Sequence, residues 1–110
     1  MDSILTSIKK LLGIMDSYTQ FDADIIMHIN SAINVLSQIG LESAEGFYIS
    51  DDSATWSDLI GDGTDLDLVK TYIYLKVRMA FDPPTGAVAD SFKEMIKEHE
   101  WRIMVKEDRE

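Results

Sequence analysis

Hydrophobic positions recur at three- and four-residue spacings in four separate stretches of the chain, and each stretch predicts an amphipathic helix. The most apolar runs from Thr64 to Pro84, TDLDLVKTYIYLKVRMAFDPP. Leu66, Val69, Ile73, Val77 and Ala80 share one face, and Leu68, Tyr72, Leu75 and Met79 fall beside them. Only Asp67, Thr71, Tyr74 and Arg78 form a wettable strip. A helix apolar over more than half its circumference needs neighbours on several sides. The pattern therefore predicts a central helix over 65–82, capped by Thr64 or Asp65 and stopped by Pro83-Pro84.

The other helices are expected over 3–12, 22–39 and 87–106. In the first, Ser3 is the candidate cap, Ile4, Leu5, Ile8, Leu11 and Leu12 make the apolar face, and Gly13 supplies the stop. In the second, Asp22 is the expected cap and Phe21 can staple onto Ile26. Its buried stripe is Ile25, Ile29, Ala32, Ile33, Leu36 and Ile39, while Ser31, Asn34, Ser37 and Gln38 give an uncharged outer face. The last helix turns Val88, Phe92, Met95, Ile96, His99 and Ile103 inward. Between the second and central helices, residues 41–63 lose the helical period. Phe47-Tyr48-Ile49 and Thr55-Trp56 are strand-compatible around a turn at Ser50–Ser53, with one helical turn at 57–60. The predicted fold class is all-α. It is a single domain over 1–110, a small bundle of four helices around a central helix, with a short β-hairpin or ordered loop between helices 2 and 3.

Charge changes this picture more than composition does. The net charge is −10, yet no Lys or Arg occurs between Lys10 and Lys70, and residues 11–69 carry 11 Asp and Glu. All the excess acid lies in one continuous segment. A protein that grips nucleic acid needs a basic stripe to neutralise phosphate, so that class is disfavoured. No cysteine is present, which removes thiolate metal sites and disulfides. The first residues lack a basic stretch before their apolar run, so no signal peptide is expected, and no apolar run is long enough to span a membrane.

Candidate chemistry is sparse. Asp62-Gly-Thr-Asp-Leu-Asp lacks the spacing and the closing Glu of a calcium loop and reads as linker plus cap. His28 and His99 are the only imidazoles, neither has a second His one turn away, and both read as core or boundary residues. No nucleophile elbow, phosphate loop or dinucleotide glycine pattern occurs. No catalytic activity, metal or cofactor is expected. Two aromatics stand out. Trp56 is expected to anchor the polar loop on the bundle. Trp101 points to the side of the last helix opposite Phe92 and Ile96, with Met104 partly beside it, and reads as a partner contact.

The order IKKLLGI, FDADIIMHINSAINVLSQIG, ATWSDLIGD, LVKTYIYLKVRMAFDPPTG and IKEHEWRI resembles the head–tail connector (adaptor, or head-completion) proteins of tailed bacteriophages over nearly the whole chain. The resemblance implies a structural virion protein at the neck, assembled in the host cytoplasm as a homo-oligomeric ring of about a dozen copies. It also implies a portal protein on one side, a stopper or tail-completion protein on the other, and genome DNA passing through the lumen without specific binding. Portal contact would fall to Trp101, Arg102, Met104, Val105, Lys106 and Arg109. The lumen or the subunit interface would take Glu42, Glu45, Tyr48, Asp51, Asp52, Trp56, Asp58 and Asp62, with the helices around Lys70, Lys76, Lys93 and Lys97 as the opposite face. A second reading of the same charge is an acidic decoy that imitates duplex DNA and binds a DNA-handling protein. It leaves the uncharged face of the second helix and the outward Trp101 unexplained.

Overall fold

The computed structural model describes residues 3–61 and 66–108. The apolar spacings fold as expected into helices α1 (Ile4–Leu11), α2 (Asp22–Gln38), α4 (Leu66–Phe81) and α5 (Gly86–Asp108), with the short helix α3 (Trp56–Ile60) before α4. The caps Thr64 and Asp65 and the Asp62–Asp65 stretch lie outside the described residues. Helix α4 packs against both α2 and α5, and α1 packs on α2. Val69, Tyr72, Ile73 and Val77 of α4 join Ile25, Ile29, Ile33 and Leu36 of α2 and Ile4, Leu5 and Ile8 of α1 in one core. The central place of α4 follows from its two-sided apolar surface, which α2 and α5 cover from either flank. Ala80, expected on that face, is exposed near the C-terminal end of α4.

Helix α1 begins at Ser3, whose side chain accepts from the Thr6 N–H, and ends before Gly13, which adopts a left-handed φ of 82° that a β-carbon would strain. Its buried face differs from the expected one. Leu11 is 46% exposed, whereas Ser7 and Lys9 are buried. The Lys9 ammonium donates to the carbonyls of Asp16 and Tyr18 at 2.9 and 2.8 Å and meets Asp22 Oδ1 at 2.9 Å. All three of its protons are thereby placed. Asp22 Oδ1 is itself buried, and this ammonium is the group that compensates it. The Asp22 carboxylate is therefore not the cap of α2. Phe21 holds the N-cap position with no side-chain bond, and Asp22 is the first helical residue. The Phe21 ring, expected to staple onto Ile26, packs against two other aromatics. It lies 5.6 Å from the Tyr18 ring and 5.4 Å from the Phe81 ring.

Residues 41–55 form an ordered loop, and among the described residues there is no strand. A 3-10 turn at Glu42–Ala44 is followed by extended chain. Its polar groups pair elsewhere, which removes the ladder a hairpin would need. Asn30 of α2 takes both groups of Ile49, donating from Nδ2 to the carbonyl at 2.9 Å and accepting the N–H on Oδ1 at 2.8 Å. The Ile4 N–H takes the Ala54 carbonyl, and Ser3 pairs with Thr55 in a single antiparallel bridge. Leu41, Ala44, Ile49 and Trp56 then drop into the core.

Helix α5 is peripheral. Ile103 is buried, Phe92, Met95, Ile96 and His99 are half-buried, and Val88, expected inward, is 53% exposed because it precedes the stretch covered by α4. Tyr72 ties α4 to α5 by donating its hydroxyl to Glu100 Oε2 at 2.7 Å. Burial, then the bond to Glu100, pushes the Tyr72 phenol well above its usual value of 10.0. A raised folded-state value stabilises fully below the unfolded value, and that stability is lost as pH climbs past it. Tyr72→Phe is expected to lower unfolding free energy by about 1.5 kcal/mol at neutral pH. Its stability should also fall less steeply than the parent's above pH 10, as chemical unfolding at a series of pH values would show. Parallel alkaline curves for the two proteins would exclude this role.

Candidate interaction surfaces

The outer face of α5 is built by elimination. Phe92, Ile96, His99 and Ile103 turn toward α4, so the helical period sends Trp101 and Met104 outward, where they are 63% and 44% exposed. Glu94, Met95, Lys97, Glu98 and Trp101 line a shallow open depression along this face. Arg102 donates to Glu98 at 3.0 Å, an exposed pair one turn apart that contributes at most about 0.5 kcal/mol. Val105 is half-buried, Lys106 is exposed, and Arg109 lies outside the described residues. This face thus presents a large exposed indole and an exposed methionine on one helix.

The acidic loop presents a second face. Glu42, Glu45, Asp51, Asp52 and Asp58 are exposed and Tyr48 is 71% exposed, while Asp62 lies outside the described residues. Two of these carboxylates also shape the chain. Asp51 accepts from the Ser53 N–H at 2.8 Å and hydroxyl at 2.6 Å, and these bonds hold its carboxyl below the usual range. Asp58 Oδ2 accepts the Thr55 N–H at 2.9 Å while Thr55 caps the Asp58 N–H, a reciprocal capping box that starts α3.

Trp56 leaves the exposed set. It is 1% exposed, its Nε1 donates to Ser7 Oγ at 3.0 Å, and the Lys70 ammonium stands 5.9 Å from the ring centre. Its side chain is spent on anchoring the loop. Of the expected basic residues, Lys70 covers Trp56 and Lys76 lines a groove with His28, Ser31, Met79 and Ile96 between α2, α4 and α5, whereas Lys93 and Lys97 stand exposed on α5. Both histidines are boundary residues, and His99 Nδ1 lies 2.7 Å from the Met95 carbonyl. Among the described residues no group of His, Asp and Glu is placed to hold a metal ion, and no helix is long and apolar enough to cross a membrane.

The family model described as phage connector protein matches residues 4–110. The chain belongs to the phage connector protein family. No curated protein and no solved structure matches it. The connector is a structural component of the phage head–tail junction, at the neck of the virion. A third surface of this connector was not legible in the sequence. The α1–α2 connection carries exposed Met15, Tyr18 and Phe21, and the Phe81 ring from the end of α4 extends it. The three rings are separated by up to 63 residues in sequence, and the one local signal was an aromatic on either side of Thr19-Gln20.

Proposed function

We propose that this connector assembles head to tail into a ring of about a dozen copies between the portal and a stopper or tail-completion protein, with genome DNA passing through its centre. The observation that carries the reading is Trp101, an exposed indole on a helix whose inward face is already satisfied. In this reading the C-terminal half of α5 docks on the portal. Trp101 and Met104 are its buried anchor, Val105 lies beside them, and Arg102, Lys106 and Arg109 form a polar rim that contributes less. The exposed acids Glu42, Glu45, Asp51, Asp52 and Asp58, with Asp62, face the lumen. There like charge opposes phosphate and prevents the counterion release that makes basic surfaces hold DNA.

Trp101→Ala tests the anchor. The free subunit is expected to keep its unfolding free energy to within about 0.5 kcal/mol, as exposed substitutions do. Docking on portal complexes is expected to weaken by about 2 kcal/mol or more, as loss of an interface hot spot does. Unfolding of the free variant, with normal docking of the fraction that survives, would make Trp101 a core residue and end the proposal.

A further inference from the structure

We infer that the aromatic surface of the α1–α2 connection receives the Lys93–Lys97 stripe of a second copy of this chain; the inference rests on the ring reading above. The Phe21 ring packs tilted against Tyr18 and edge-on against Phe81, yet Tyr18 and Phe21 remain 44% and 38% exposed, and Met15 is 73% exposed. Among the described residues these groups are only partly covered. Their surroundings are acidic. Asp16 and Asp24 are exposed, and Asp16 accepts the Thr6 hydroxyl at 3.1 Å. Asp24 makes no ion pair among the described residues, and of the α1 bases Lys9 is consumed by Asp22 and two carbonyls while Lys10 is exposed. Exposed rings with the exposed carboxylates of Asp16 and Asp24 close by in the chain favour a cation on an apolar stem. The rings accept the methylene stem and the carboxylates accept the ammonium.

The same chain carries the complement. Lys93 and Lys97 are one turn apart on the outer face of α5, exposed, and without an ion pair or hydrogen bond among the described residues. Within one subunit, among the described residues, neither lysine stands over the Tyr18, Phe21 or Phe81 ring or pairs with Asp16 or Asp24. Two different, complementary patches on separate flanks are what a heterologous contact requires, and such contacts close into rings or run on as filaments. This assignment leaves the 41–55 loop free for the lumen, and it adjoins the portal contact where Lys97 and Trp101 line one depression.

The absence of cysteine makes the contact addressable. Asp24→Cys and Lys97→Cys placed in one chain, treated with a short bismaleimide at millimolar protein, are expected to give a ladder of dimers, trimers and longer species. Neither single variant should cross-link alone, and a mixture of the two should stop at the dimer. Asp24→Lys or Tyr18→Ser is expected to weaken self-association about tenfold or more by sedimentation, with unfolding unchanged. The charge swap Asp24→Lys with Lys97→Asp should restore most of that loss. Linking of Lys97→Cys to Glu45→Cys in place of Asp24→Cys would move the contact to the 41–55 loop. That overturns this assignment while leaving the ring intact. A chain that stays monomeric and unlinked in every pairing overturns it too. Electron microscopy of that chain bound to portal particles then judges the ring itself, which fails if no ring is seen.

Discussion

Lys9→Met should destabilise the subunit by about 3 kcal/mol, at the lower end of what removal of one partner from a buried ion pair costs. Lys9 is 1% exposed and its ammonium has three oxygen partners at 2.8–2.9 Å. Methionine fills the same stem volume, so the loss isolates the polar contacts from packing. It strands two main-chain carbonyls and one carboxylate. The Asp22 side chain is 26% exposed and regains some water, which keeps the cost below the upper limit of about 5 kcal/mol. Adding Asp22→Asn to Lys9→Met should recover part of the loss, because a buried neutral amide is less costly than an uncompensated carboxylate. Urea unfolding of the parent, both single variants and the double variant gives the coupling directly. A loss under about 1 kcal/mol for Lys9→Met would mean that the carbonyls and Asp22 find water once the lysine is gone. The consequence reaches beyond stability. Two of the three partners belong to residues 16 and 18, so the ammonium also fixes the connection that presents Tyr18 and Phe21.

Trp56→Ala should cost about 3–5 kcal/mol, the range for truncating a fully buried large aromatic. Trp56 is 1% exposed, bonds Ser7 of α1 through Nε1 at 3.0 Å, and begins α3 immediately after its cap Thr55. Its loss opens a cavity beneath the loop and unties α3 from α1 together. Trp56→Phe separates the two effects. It keeps most of the apolar surface but leaves the Ser7 hydroxyl without its donor, and is expected to cost about 1–2 kcal/mol. Thermal unfolding followed by far-UV circular dichroism reads both. If Trp56→Ala and Trp101→Ala destabilise equally, the inside and outside assignments of the two indoles are wrong. The contrast between them is the sharpest check on the architecture, because both are tryptophans and only their burial differs.

The helices were legible because their apolar residues repeat at the helical period, and local chemistry marks their ends. Ser3 caps α1 and Gly13 stops it, and Pro83-Pro84 separates α4 from α5. The outward aim of Trp101 was legible for the same reason. Periodicity on one helix is enough to say which side a residue occupies once the opposite side is full. The family was legible from the order of these segments, and the match over residues 4–110 agrees with it.

What tertiary structure decided was the fate of groups whose partners lie outside their own helix. Lys9 stands one turn from Leu5 at the edge of the apolar face, a place where a lysine ordinarily carries its ammonium out to water. It is buried because the 14–20 connection, which has no period, folds back and offers two carbonyls beside Asp22. That same pairing took Asp22 from its expected cap. The strand-like residues of the 41–55 loop form no hairpin because Asn30, far away in sequence, takes both polar groups of Ile49. The ring of Phe21 could have stapled its own helix, yet it meets Phe81 at the end of α4. Local pattern determines which segments are helical and which face is apolar. Only the packed chain decides where an isolated charge, amide or ring finds the partner that makes its burial or exposure tolerable.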